Sequence, residues 1–494
     1  MPAPQEDEPS RRGLQQLLPF PSPSELRSRK RRRGPLHPAA GEALKKLPQD
    51  IYRGRTKQCG TQSQTPAMPS ISRSDNIEEG APTTNTLTAK TPLEVFSLFM
   101  NDPLLAEVCM HTGDKITSLR DKVKQNNPTF KDLQLMELKA LLGVLLSWQA
   151  RKDNHLTTEE MFSPALGCPF YKSGMSERRF AFLMRSLRFD NAGTRTDRLK
   201  TDKFAHIREV WNTVIRHCIG NYSPGPHLTV DEQLLAFRGR CSFRMFIPNK
   251  PAKYGIKLVM ACDAETHYMC NSIPYCGKTT GADRVISLGE FFTTELVKPF
   301  RTSGRVVTTD NWFTSLPLAK SLQKYGMHLV GTIRPKPYMP LELLTFPMEL
   351  GQSVAVYNYE DKATLMCQRV KSTKRMQILS TVQLSTHTCE RQKTHIHMYY
   401  NATKGGVDTF DQLCAAMTCS RKTRRWPLCV FFGLLNIVVN NAFIIYQHRP
   451  ENAKVSRRKF AMDLALELCR PWAFNRLQQK RYLPGCLIPD LFCV

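Results

Sequence analysis

The sequence has no CxxC pair, few acids for its size, and no apolar segment at its start. Its 16 cysteines are scattered singly, which signals neither a disulfide-dense secreted scaffold nor a cysteine-built zinc site. The chain opens MPAPQEDEPS, so reduced thiols in an intracellular protein are expected. Membrane-length apolar runs are nearly absent as well. The one candidate, Leu428 to Tyr446, carries Asn436, Asn440 and Asn441 near its middle, with Asn436 and Asn440 on one helical face. A buried helix of a soluble domain is expected there, with no membrane partner.

Acid is the scarce charge. Asp and Glu number 43 against 70 Lys and Arg, a net charge of +27 that favours a polyanionic partner. Charge alone does not choose between nucleic acid and an anionic membrane surface. The 494 residues exceed one core, and about three domains are expected.

Residues 1–90 hold 12 of the 33 prolines with much Ser, Thr and Gln, and read as disordered. Within them Arg27, Arg29, Lys30, Arg31, Arg32 and Arg33 form a run suited to nuclear localisation or phosphate binding, or else a solvated charge run. Order is expected from Thr91. Apolar residues at helical spacing (Leu93, Phe96, Phe99; Leu138, Leu141, Leu142, Leu145) predict an all-helical region over 91–226. Arg178, Arg179, Arg185, Arg188 and Arg208 could give it a basic face, or be ordinary exposed arginines.

The pattern then turns to strands. HLTVDEQLLAFRGRCSFRMFIPN, from His227 to Asn249, places Asp231 inside an apolar strand, followed by Arg238, Arg240, Arg244 and Lys250 among Phe237, Phe243 and Phe246. A lone buried carboxylate is costly unless paired or metal-bound, so Asp231 either meets an arginine or holds a cation. Strands at Ile256–Ala261 and Tyr268–Pro274 follow, then a helix, a strand Arg305–Asp310 ending in a second acid, a helix to Gly326, and a strand His328–Ile333. This alternation predicts α/β architecture, a mixed sheet flanked by helices over 227–333 with active groups at strand ends. Four prolines and short strand-like pieces predict a β-rich insertion over 334–395, with His395 and His397 on a following strand.

Tyr399 to Trp426 is the second centre. After Gly405-Gly406, Asp408 and Asp411 fall at i, i+3 on one helical face, where they could be functional or could complement the helix dipole. Arg421, Lys422, Arg424, Arg425 and Trp426 suit phosphates and an unpaired base, and Lys404 joins them as a DNA-binding candidate. If Asp231, Asp310 and Asp408 converge, their repulsion calls for shared cations. Oxygen-only ligands suit Mg2+ or Mn2+ in an in-line displacement at phosphorus.

The stretches TVDEQLLAFRGRCSFRMFIPNKPAKYGIKL, TTDNWFTSLPLAKSL, YYNATKGGVDTFDQLCAAMTCSRKTRRWP and RKDNHLTTEEMF strongly resemble piggyBac-family transposases, and the resemblance covers about residues 91–460. It implies an RNase H-like catalytic core (227–333 and 396–420) with the β-rich insertion, embedded in a helical dimerisation and DNA-binding domain (91–226 and 421–494). It implies Asp231, Asp310 and Asp408 as the catalytic triad, Asp411 as a further acid near the metals, Arg334 in target-DNA handling and Trp426 near the transposon end. The reaction implied is cut-and-paste transposition of double-stranded DNA at TTAA through hairpins, by a nuclear homodimer. A departure lies in the tail, where Cys469, Cys486 and Cys493 are too sparse for the family's zinc domain, so no structural zinc is expected. A domesticated DNA-binding protein is the alternative.

Overall fold

A computed structural model describes residues 52–53, 77–122, 128–248, 250–277, 286–336, 339, 341–358, 361–384 and 393–479. Arg29 to Arg33, Cys486 and Cys493 lie outside the described residues.

The first half is helical where apolar periodicity predicts it: α1 (Asp102–Arg120), α2 (Leu135–Arg151), α3 (Glu177–Ser186) and α4 (Arg208–Gly220). Order begins before the expected Thr91. Ala81–Pro82 pairs with Tyr222–Ser223, and Tyr52–Arg53 pairs with Val354 and Ala355, so backbone partners far along the chain order segments whose composition read as disordered. The basic face also needs correcting. Arg179 is buried, with Nε and Nη2 donating to both oxygens of Glu137 at 2.9 and 2.7 Å, and Nη1 to the carbonyl oxygens of Thr129 and Lys131. Arg208 is likewise taken up by Asp202 through two hydrogen bonds of 2.8 Å.

The sheet follows. Its strands are β1 (His227–Ala236), β2 (Tyr254–Asp263) and β3 (Met269–Pro274). After α5 (Leu288–Val297) come β4 (Val306–Thr309), α6 (Leu316–Lys324) and β5 (His328–Thr332). Then β6 (Ser353–Asn358), β7 (Ala363–Lys371) and β8 (Lys374–Ser380) run as an antiparallel meander. The order across the sheet is β6-β7-β8-β5-β4-β1-β2-β3, with β1, β4 and β5 parallel and the rest antiparallel. The proline-broken region therefore extends the central sheet, because Ile378, Leu379 and Ser380 pair with Thr332, Gly331 and Val330. The β2–β3 turn is tied by Asp263, whose Oδ1 accepts the N–H groups of Glu265 and Thr266.

His395 and His397 do not lie on a strand. Thr394 caps a helix, α7 (His395–Thr403), by accepting the His397 N–H, and the His397 Nδ1 meets Gln368 Oε1 at 2.8 Å. An N-cap threonine overrides the local His-Ile-His alternation. Three helices complete the chain: α8 (Gly406–Ala416), α9 (Trp426–Gln447) and α10 (Arg457–Gln478).

The long apolar run is α9, most of it buried inside the protein. Its asparagines explain why. Asn441 donates to the Met269 carbonyl and accepts the Met269 N–H, buckling β3 to the helix, and Asn436 accepts the Cys419 N–H. Buried amides must find such partners. Helix α10 returns across α2, where Gly143 lets the backbones meet; a Cβ there would lie 2.6 Å from Cys469 Sγ and 2.8 Å from the Ala465 carbonyl oxygen. Residues near 140 and near 470 thus form one helical body.

Candidate active site

The sheet register brings the first two acids together. β1 and β4 are parallel neighbours with Val230 opposite Thr309. The next residue along each segment is Asp231, still within β1, and Asp310, the first residue past β4, so the register sets the two acids side by side. Asp231 sits mid-strand because β1 continues past it, pairing Asp231 with Met260 and running on to Ala236 beside Gly255. Asp310 sits where β4 ends, in a closely braced loop. Its Oδ1 accepts the Trp312 N–H at 2.8 Å, and its carbonyl accepts the Thr314 hydroxyl at 2.7 Å. Gly331 on β5 makes room for that hydroxyl, which a Cβ would approach to 2.2 Å.

The third acid is delivered by the α7–α8 junction. Thr229 Oγ1 donates to the Thr403 carbonyl at 2.6 Å, and the Thr308 and Thr403 hydroxyls lie 2.8 Å apart. Gly406 packs against Thr229; a Cβ there would lie 2.5 Å from Thr229 Oγ1. Threonines two residues before Asp231 and Asp310 thus dock the start of the helix that carries Asp408 and Asp411. Asp408 is exposed, while Asp411 is half-buried and accepts from Gln233 Nε2 at 2.9 Å.

Burial pushes the Asp231 carboxyl well above the usual carboxylate range, and the charges of Glu232, Asp310 and Asp408 push it further. Burial raises Asp310 too, against the Trp312 N–H that favours its anion, with Glu232 adding to the rise. Burial also raises Asp411, opposed by the Gln233 hydrogen bond and by Lys250. Tyr400 on α7 is raised chiefly by burial and feels Asp310, Asp231 and Asp408 together. The three acids therefore share one electrostatic neighbourhood. Among the described residues, no group of three or more His, Cys, Asp or Glu side chains is gathered closely enough to hold an ion. The donor chemistry nonetheless suits a hard divalent cation: oxygen ligands only, with Asp231 and Asp310 desolvated and the Asp231 carboxyl raised further by its acidic neighbours.

Two participants escaped sequence reasoning. Glu232 adjoins Asp231, and its Oε2 lies 3.5 Å from Nζ of Lys257, which is itself buried on β2. A lysine within the apolar run YGIKLVMACD was the available signal.

The basic candidates divide. Arg238, Arg240, Arg244, Arg334, Lys404, Lys422 and Arg424 are exposed. Lys250 donates to the Glu232 carbonyl at 3.0 Å and lies 3.9 Å from Asp408; Arg334 donates to Asn311, beside Asp310, at 2.8 Å; Lys404 lies 5.4 Å from the Tyr400 ring. These three border the acids. Arg421 and Arg425 are half-buried and taken up internally. Arg421 donates to the Leu156 carbonyl at 2.6 Å and lies over the Trp148 ring. Arg425 donates to the carbonyls of Met184, Arg185 and Leu187 at the end of α3, and burial pushes its guanidinium down to about 10. Trp426 is packed against Phe204, His206 and Phe243, with centroids 5.5, 5.1 and 5.0 Å away.

A mixed sheet with parallel β1, β4 and β5 at its centre, antiparallel strands on both sides and a helical surround define an RNase H-like core. The profile of the family described as Transposase IS4 matches residues 91–443. The chain is similar to a piggyBac transposase solved by cryo-electron microscopy as a synaptic complex with hairpin DNA, at 41% identity and TM-score 0.78, covering 84% of this chain and 87% of that one. The chain belongs to the piggyBac-type transposase family. It is also similar to two Homo sapiens proteins, PiggyBac transposable element-derived protein 3 and the Chimeric ERCC6-PGBD3 protein, at 22% identity over 403 residues and 75% of this chain. The match spans 64% of the first relative's length and 36% of the second's.

Proposed function

We propose that this chain cleaves and joins DNA by cut-and-paste transposition, freeing 3′ ends, passing through hairpins and inserting at TTAA. Asp231, Asp310 and Asp408 would hold divalent cations, Mg2+ or Mn2+, with Asp411 beside them. Cations bound there supply Lewis-acid stabilisation of the charge that builds at the transferring phosphate. The protein's own contribution is positional: the middle of β1, the end of β4 and a docked helix fix the carboxylates before DNA arrives, and Lys250, Arg334 and Lys404 border them with positive charge. Exposed Arg238, Arg240 and Arg244 would hold the phosphate backbone. The same reading includes a homodimer on duplex DNA, in the nucleus, with the basic run at Arg29–Arg33 as import signal.

The carrying observation is the adjacency of Asp231 on β1 and Asp310 at the end of β4, in carboxyls raised by burial and by neighbouring acids. Purified protein incubated with Mg2+ and an oligonucleotide bearing cognate ends beside TTAA is expected to give nicks and hairpins. Equal cutting by Asp310→Ala would overturn the assignment. The name of the human relative, a transposable element-derived protein, favours a second reading: a nuclear DNA-binding protein that keeps the fold without autonomous transposition. Sequence-selective footprints without cleavage would select it.

A further inference from the structure

We propose that Lys257 is a positioning residue for Asp310, acting through Trp312. The proposal rests on the carboxylate site above but enters it from an element that carries no catalytic acid.

Lys257 lies on β2 opposite Leu234 of β1, in the apolar centre of the sheet, and is 6% exposed. Its Nζ stands 4.0 Å from the centroid of the Trp312 ring and 3.5 Å from Glu232 Oε2. A desolvated ammonium over an indole face is held strongly, and removing either side frees the other. Trp312 in turn holds Asp310, through its backbone N–H on Oδ1 at 2.8 Å. The loop is walled on a further side by α5: a Cβ on Gly289 would lie 2.7 Å from both the Trp312 carbonyl oxygen and Phe313 Cα. The Trp312 side chain packs edge-on against Phe313 at 4.6 Å. Lys257 is thus the charged end of a clamp that runs ammonium, indole, backbone N–H, carboxylate. Its backbone is fixed twice, by the β1 pairing and by accepting the Tyr275 N–H at 2.9 Å.

A purely local role is the competitor, in which Lys257 only neutralises Glu232. The two roles separate by experiment. Lys257→Met keeps the aliphatic stem and removes the charge over the ring. It is expected to raise acrylamide quenching of the Trp312 emission, isolated by subtracting the Trp312→Phe protein in each background, without any metal or DNA. Lys257→Arg, which restores a cation over the ring, should return quenching towards the parent level. Free-Mn2+ titration followed by electron paramagnetic resonance should then show about 10-fold weaker binding in Lys257→Met, as for loss of an outer support of a metal ligand. The duplex affinity should stay unchanged, while the cleavage rate at saturating DNA falls by a similar factor. Adding Glu232→Gln to Lys257→Met should restore neither quenching nor Mn2+ affinity.

Parent-like quenching in Lys257→Met, or full recovery in the double variant, overturns the clamp. Mn2+ binding that ignores Asp310→Asn would overturn the carboxylate-site reading instead, and leaves the quenching result to decide Lys257. Should Lys257→Met fail to fold, Trp312→Leu cuts the same link from the other end and must weaken Mn2+ binding by the same factor.

Discussion

The loop after β4 and the stretch Ser420 to Trp426 are both dense in chemistry-bearing residues, yet the structure uses them in opposite ways. At the first, Asp310 lies beside Asp231 of β1, and burial together with the charge of nearby acids raises both carboxyls. At the second, Arg421 and Arg425 spend their guanidinium donors on carbonyls of the helical region, and Trp426 is ringed by Phe204, His206 and Phe243. The first region stores electrostatic tension that a cation relieves. The second has relieved its own and serves to lock α9 against α3. Residue type alone does not separate these cases; what decides is whether the partners are supplied by the protein itself.

The sharpest test of this contrast is catalytic. Asp310→Asn is expected to lower DNA cleavage on the order of 10^3-fold while leaving the fold intact, measured by oligonucleotide nicking beside circular dichroism. Next in size, Arg179→Met breaks the buried pair with Glu137 and should cost about 3–5 kcal/mol in urea unfolding. Arg425→Ala strands three carbonyls at the end of α3 and should cost about 3 kcal/mol. If it instead leaves stability untouched and only weakens DNA binding, the contrast drawn above collapses.

The pH dependence is smaller and opposite in sign to that of salt-bridged acids. Asp231 and Asp310 have folded pKa values above their unfolded ones, so their contribution is fully present below the ordinary carboxylate pKa and is lost as pH rises through the raised values. In EDTA, the melting temperature should fall by a few degrees across that window, and Asp310→Asn should flatten the fall. The smallest effect is reserved for the exposed pair. Lys422→Ala and Arg424→Ala should each reduce the slope of log affinity against log salt by about 1 and leave stability unchanged.

Much of this was legible in the chain. Apolar spacing found α2, α3 and α4, and β-branched runs found β1 to β5, because those signals are local. The acids stood out because a carboxylate in TVDEQ or at the end of RVVTTD is costly in an apolar strand unless it is paired or holds a cation. His395 and His397 misled because a two-residue alternation is weaker than the Thr394 cap. Arg179 misled because its partner, Glu137, lies 42 residues away. Lys257 was passed over because its meaning depends on a ring 55 positions further on; the apolar run around it marks it as buried but not what it meets.

The sequence by itself determined most of the elements, the basic balance of the chain and which acids stand out as candidates, since periodicity, composition and motif are properties of neighbours along a chain. Only the tertiary structure decided which charges remain uncompensated. Register placed Asp231 beside Asp310, a pair of threonines docked Asp408 near them, and folding gave Arg421 and Arg425 carbonyl partners from distant segments. Compensation of a charge is a matter of distance in space, and that distance exists only once the chain has closed on itself.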